Sequence, residues 1–296
     1  MFVEYGKTLR MIRQQKGITL KELANNICSV SFLSKFERGE SDITLSLMTK
    51  LLKKLMMNFD EFLFIHNDYQ PDQLEQFFKT AGAAFLSRDV HQIKQLKETA
   101  LNNWKQYSVE TYHYNALLLE IYESIVDSKY TVEGLKEYNI QLLSDYLFRV
   151  EVWGYYELKL YSGTMLLLEP DMVIMLSRTA YEKSARFKDY KKVSESITAV
   201  LFNTVIFLLG SVTRFHEEFT YQKEFKEFMS YLEKIAIPES KLLERNYLLE
   251  LKGAYDIRIG NKEEGIAKIR KAIRILNDLN STKLAYKIEQ YLLQIV

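Results

Sequence analysis

Apolar positions recur along this chain at intervals of three and four almost from end to end, and strand-type alternation is hard to find. That pattern predicts an all-α protein. Near the start, Leu9 and Ile12 give a first helix its apolar face, while Lys7, Arg10, Arg13 and Lys16 make the rest of it basic. Leu20, Leu23, Ala24 and Ile27 predict a second helix, with Thr19 as its N-cap and Glu22 three residues on to complete a capping box. Asn26 to Ser29 break it, because Asn and Ser side chains compete for the backbone. Val30, Leu33 and Phe36 begin a third stripe, ended by Gly39 as a C′ residue able to take positive φ. A fourth stripe, Leu45, Met48, Leu51, Leu52 and Leu55, follows a start signal at Asp42 to Thr44, and Phe59, Phe62 and Leu63 close a five-helix bundle.

Two short helices joined by a tight turn have the shape that enters a DNA groove. In that arrangement the second helix of the pair lies in the major groove, so its outward positions Val30, Ser31, Ser34 and Lys35 are the ones able to read bases. Leu33 and Phe36 point into the core. The block from Gly6 to Leu63 resembles the phage-repressor (Xre-like) helix-turn-helix family through Arg10 and Arg13, Gly17-Ile18-Thr19, Glu22-Leu23-Ala24, Ser34 and Glu37-Arg38-Gly39. The resemblance implies that Arg13 pairs with Glu37 inside the domain and that Arg10, Lys21 and Arg38 face phosphates. A solvated surface charge is the competing reading for each of these, and a plain helical bundle is the one for the whole block.

A boundary falls at the polar stretch Asn67-Asp68-Tyr69-Gln70-Pro71-Asp72, which divides the chain into a head at 1–65, a linker at 66–72 and a larger domain at 73–296. Beyond it the pattern predicts helices over 72–86, 89–104, 108–127, 131–147, 151–168, 170–186, 189–210, 217–235, 239–259, 262–278 and 281–295. Connections this short make neighbours antiparallel, and the spacing suggests a helical-repeat array. The repeat signature is clearest at Gly253, Gly265, Ile269 and Ala272, which match positions where tetratricopeptide helices touch; Lys252 and Asp256 fall where that pattern wants Leu and Tyr. A non-repeating α-bundle remains the alternative.

Net charge is +1, yet residues 1–65 hold ten Lys/Arg against seven Asp/Glu, or +3, leaving 30 against 32, or −2, for the rest. The basic excess sits on the head, where phosphate neutralisation would need it; being small, it fits a dimer better than a monomer. The longest apolar run, Ile197 to Val212, is too short for a membrane span and carries Asn203 and Thr204 in its middle, so a buried core helix is expected there. The first residues lack the apolar core of an export signal, which points to the cytoplasm. The single cysteine, Cys28, excludes an intrachain disulfide and reads either as a small buried residue or as a redox-sensitive interchain thiol. Four scattered histidines and one cysteine make no metal-ligand cluster, and no phosphate loop, nucleophile elbow or marked carboxylate pair appears. No enzymatic activity, metal or cofactor is expected.

Joined to the head, the order of parts resembles the Rgg family of Gram-positive transcription regulators, most specifically at residues 29–37 and 146–157. The resemblance implies a homodimer made through the repeat domain, promoter DNA as partner, RNA polymerase as a further one, and a groove taking a short hydrophobic signalling peptide. Within the array, Arg149, Trp153, Tyr156 and Glu157 place aromatic bulk and both charges on one expected helix, which suits an apolar peptide with charged ends; packing between repeats is the alternative. Asn203 is the other candidate, since an amide inside so apolar a helix must find partners, either in a peptide backbone or across to a neighbouring helix. Two functions from different classes stay open: a peptide-responsive DNA-binding regulator, or a helical-repeat adaptor with the head as tether. A regulator needing no peptide is a variant of the first.

Overall fold

A computed structural model describes residues 5–127, 137–235 and 237–296. Among them there are sixteen α-helices and no strand. The chain forms two compact units, Met1–Ala83 and Ala84–Val296.

The first unit is built from α1 (Tyr5–Gln15), α2 (Leu20–Ala24), α3 (Val30–Glu37), α4 (Leu45–Lys54) and α5 (Phe59–His66), and holds most of α6 (Gln73–Leu86). The division thus falls inside α6, downstream of the expected 66–72 linker. The starts of α2 to α6 are each fixed by a side chain, Asp72 accepting from Glu75 N on α6. Thr19 and Glu22 make a reciprocal capping box on α2, Ser29 accepts from Phe32 N on α3, and Thr44 and Asn58 do the same for α4 and α5. The second helix is shorter than its apolar spacing predicts. Asn26 takes φ of 60°, so Ile27 lies in the turn and packs on the core from there. Leu9, Leu23, Leu33, Leu51 and Phe62 are wholly buried and form that core.

The second unit runs α7 (Val90–Tyr107), α8 (Glu110–Val126), α9 (Glu137–Arg149), α10 (Tyr155–Thr164), α11 (Pro170–Ser184), α12 (Lys191–Leu209), α13 (Gln222–Lys234), α14 (Leu242–Arg258), α15 (Lys262–Asp278) and α16 (Thr282–Ile295). The expected segment 131–147 lies partly outside the described residues. Successive helices pair as α7 with α8, α11 with α12, α12 with α13, α14 with α15 and α15 with α16. Even-numbered helices from α8 to α16 also touch one another in succession, so they form one row of the array.

The close approach expected between α14 and α15 is real. A Cβ added at Gly253 would stand 2.7 Å from the Gly265 carbonyl oxygen, and one at Gly265 would stand 2.4 Å from that of Gly253. Lys252 and Asp256, the departures from the repeat pattern, carry cross-helix ion pairs instead: Lys252 with Glu233 at 2.7 Å and Asp256 with Lys268 at 2.5 Å.

Two expected helices are interrupted. Helix 151–168 begins only at Tyr155, because Glu157 reaches back to accept from Gly154 N at 3.0 Å and caps the start there. Helix 217–235 begins only at Gln222, after a short 3-10 turn at Val212–Arg214. Helix α12 is long and apolar enough to cross a membrane by composition, but it packs among α10, α11, α13 and α14 with Val200, Leu201 and Val205 wholly buried, as a core helix does.

Candidate DNA-reading helix and ligand groove

In the first unit, α3 is presented by a turn that is held at several points. Lys54 donates to the Asn25 carbonyl at 3.0 Å, and the Ser29 cap sets where α3 begins. Leu33 and Phe36 are buried beneath, while Val30 (45% exposed), Ser31 and Lys35 face solvent and Ser34 is half-buried. Arg10 and Lys21 are exposed on the neighbouring helices. The exposed side of α3 therefore offers a hydroxyl, an ammonium and a methyl-bearing side chain, the donors and contacts that base edges accept.

Arg13 is buried with Glu37. Its Nε donates to Glu37 Oε1 at 2.6 Å, its Nη2 to Oε2 at 2.7 Å and its Nη1 to the Ile18 carbonyl at 2.8 Å. The bidentate pair locks α1 to α3 and raises the Arg13 pKa further, through the hydrogen bond to Glu37. Arg38 is engaged differently. On the surface, its Nε and Nη2 donate to the Glu40 carboxylate at 2.6 and 2.7 Å and its Nη1 donates to Ser34 Oγ at 2.6 Å. Cys28 is half-buried against the head core, and burial pushes its thiol pKa up, which disfavours the reactive thiolate.

In the second unit the peptide candidates separate. Trp153 is not on a helix and is 0% exposed; its indole donates to the Leu147 carbonyl at 3.0 Å and its ring meets Tyr161 edge-on at 5.7 Å. It is a core residue, because an aromatic following the α9 end fills the space that the interrupted helix leaves. Tyr156 donates to the Thr111 carbonyl and Asn115 Oδ1, both at 3.1 Å, so it ties α10 to α8. Glu157 accepts from Tyr146 at 2.8 Å besides capping Gly154. Burial, reinforced by Glu157, pushes the Tyr146 pKa up. Arg149 stays exposed at the end of α9. These four do not share one helix face; three of them are spent on packing.

Asn203 is elsewhere. It lies on the face of α12 that lines a groove of about 700 Å³ bounded by α12, α14 and α16, with Leu276 of α15 among the lining residues. Its Nδ2 donates to Ser162 Oγ of α10 at 3.0 Å. The walls are apolar, with Phe202, Ile206, Leu243 and Leu284 prominent, and Tyr247 and Tyr291 bring phenol groups. One carboxylate is built into the wall. Glu250 is 8% exposed, and its Oε2 is buried without a hydrogen-bond partner among the described residues. Burial pushes its pKa up to about 7. Tyr247 and Tyr291 are pushed up as well, by burial first and by Glu250 second. None of these α14 and α16 residues was singled out by the sequence. The signal was there for Glu250, which recurs with Asn246, Gly253 and Ile257 on the buried stripe of α14, where a charge is out of place.

A family model for the C-terminal domain of the HTH-type transcriptional regulator Rgg matches residues 93–290, and a helix-turn-helix model matches residues 9–62. Among solved structures, the Streptococcus dysgalactiae SHP pheromone receptor Rgg2 is 24% identical, with a TM-score of 0.81 over 99% of this chain and 100% of that one. A protein from Listeria monocytogenes EGD-e is 20% identical, with a TM-score of 0.85 over 100% and 98%. PrgX in complex with cCF10 is 15% identical, with a TM-score of 0.71 over 99% and 100%. At these identities the likeness is one of fold.

Proposed function

This chain belongs to the Rgg family of helix-turn-helix transcriptional regulators, and from that footing we propose that it binds promoter DNA as a cytoplasmic homodimer whose output is set by a short apolar peptide held between α12, α14 and α16. The observation that carries the peptide half is the groove itself. It is concave and mostly apolar, lies on the row formed by the even-numbered helices, and has an amide, Asn203, on its wall to meet a peptide backbone. Its volume suits a few side chains of an extended peptide rather than a globular partner. Structures with this fold include one described as a bacterial peptide pheromone/receptor complex, which supports the same reading.

Asn203→Ala tests the groove. Losing an amide that meets a ligand should weaken peptide binding by about 1–3 kcal/mol, or five- to 150-fold. Because Asn203 is exposed on α12, melting of the apo protein should hardly move. Fluorescence polarisation with labelled apolar peptides, run beside thermal melting, reads both quantities. Unchanged affinity for a peptide that binds would take Asn203 out of the site.

The DNA half rests on the exposed first turns of α3. Lys35→Ala and Ser31→Ala should each lower affinity for the operator by about 1–3 kcal/mol if they meet bases, and should reduce the preference over random DNA. Gel-shift titrations against the promoter region and against a scrambled duplex measure this. Native affinity in both variants would move the reading surface off α3.

A further inference from the structure

The groove described above carries one feature that an apolar peptide alone does not explain. Glu250 lines the cavity as a residue more than nine-tenths buried, and its Oε2 is partnerless among the described residues. A carboxylate taken out of water and left unpaired is destabilising, and a glutamine of the same shape would avoid that. Resting on the peptide-binding reading, we propose that Glu250 is the specificity determinant of this groove and selects ligands that place an ammonium group, from a lysine side chain or from a free amino terminus, against its carboxylate.

Charge complementarity favours an ammonium over a neutral partner. The ionisable groups lining the groove are Glu244, Tyr247 and Glu250 from α14 and Lys287 and Tyr291 from α16; the lining residues of α12 and α15 bring none. With the phenols neutral, two carboxylates and one ammonium remain. Glu244 is already paired, with Lys241 at 3.4 Å. Lys287 is exposed, whereas Glu250 is buried, so the buried carboxylate is the one left without a counter-charge. Arg258, farther along α14, donates to the Leu209 carbonyl, lies over the Phe219 ring at 4.5 Å and acts on Tyr291 rather than on Glu250.

Binding of a cation should be linked to protons in a definite direction. With the free carboxyl titrating at about 7, Glu250 is ionised above that pH and ready for the ammonium; below it, a proton must leave before the pair can form. Affinity for a cationic ligand should therefore rise with pH from 6 to 8. A ligand that offers only a hydrogen-bond acceptor would show the opposite slope, because the protonated acid would be its donor.

The test uses the full-length protein and synthetic apolar octapeptides made in three forms: N-acetylated with norleucine at one scanned position, N-acetylated with lysine at that position, and norleucine-bearing with a free amino terminus. Fluorescence polarisation is measured at pH 6 to 8 on the wild type, Glu250→Gln and Glu244→Gln, with thermal melting as the check on folding. The expected result is that one amine-bearing form, lysine or free terminus, binds the wild type at least about tenfold better than its norleucine or acetylated counterpart, a charge-assisted hydrogen bond being worth at least that. The preference and its pH slope should vanish in Glu250→Gln and persist in Glu244→Gln. Binding of the peptides with no preference for an amine, or with a preference that survives in Glu250→Gln, would overturn the role of Glu250 and leave the peptide reading standing. Failure of every form to bind the folded wild type would bring down the peptide reading itself, and this proposal with it.

Discussion

Glu37→Ala is expected to destabilise the head by about 3–5 kcal/mol, because it strands the buried Arg13 guanidinium without its carboxylate. The pair is bidentate and nearly closed to solvent, with side-chain exposures of 8% and 2%, so neither partner can recover by turning outward. A unit of this size has about 5–15 kcal/mol of stability in all, and its melting temperature moves about 4–8 °C per kcal/mol. Thermal melting should therefore show the head unfolding at least about 12 °C early, with DNA binding lost as a consequence. Replacing both partners, as Arg13→Met with Glu37→Leu, should recover much of the loss, since an apolar pair leaves no charge stranded. If Glu37→Ala instead melts like the wild type and still loses DNA, Glu37 belongs to the interface and the pair is dispensable.

Trp153→Ala should cost a similar amount in the other unit, about 3–5 kcal/mol, through the cavity it leaves in the array. The indole is wholly buried, packs edge-on against Tyr161 and satisfies the Leu147 carbonyl, so truncation removes apolar contacts and a hydrogen bond together. Affinity for a groove-binding peptide, measured at a temperature where the variant is folded, should stay within about twofold of the wild type, a difference of under about 0.5 kcal/mol. Trp153→Phe should fall between, keeping most of the volume but leaving Leu147 without its donor. Unaltered melting combined with a large loss of peptide affinity would return Trp153 to the ligand site. Asn203→Ala carries the mirror-image expectation, and the two variants together separate packing from recognition.

What the sequence made legible was local. Thr19 with Glu22, and the start signal ending at Thr44, place side-chain oxygens where they can reach backbone donors three residues on, and Thr19 and Thr44 do so. The small residues Gly253 and Gly265 announced the tight α14 to α15 contact for the same reason: a missing Cβ has few other uses inside a helix. The break before α10 was hidden because its cap begins at Gly154, whose backbone donor is met by Glu157, and glycine lacks the side chain that marks a start. Trp153 stayed ambiguous between groove and packing for the same reason, its aromatic spacing continuing the stripe of a helix that has already stopped. The groove was harder still. Its walls come from α12, α14 and α16, and periodicity tells which face of each helix is buried but not which faces look at one another across a gap. Asn203 stood out as polar in apolar surroundings; that its side chain opens to the groove, while Thr204 beside it bonds inside the core, depends on a single step around the helix.

The clamp between Arg38 and Glu40 bears on how firmly the head would hold DNA of any sequence. If Arg38 meets a phosphate in the proposed complex, the Glu40 carboxylate that accepts both arms of its guanidinium would have to stand in for that phosphate in the free head. For Arg38 to grip a phosphate it must first let Glu40 go, and the released carboxylate then faces the same negative strand. Each phosphate neutralised steepens the salt dependence of binding by about 0.9 in logarithmic slope; at this corner the expelled charge takes part of that back. In the proposed DNA complex, indiscriminate adhesion would be damped while Ser31 and Lys35, which take no part in the clamp, keep their contacts, so a larger share of the binding energy would depend on having found the right sequence.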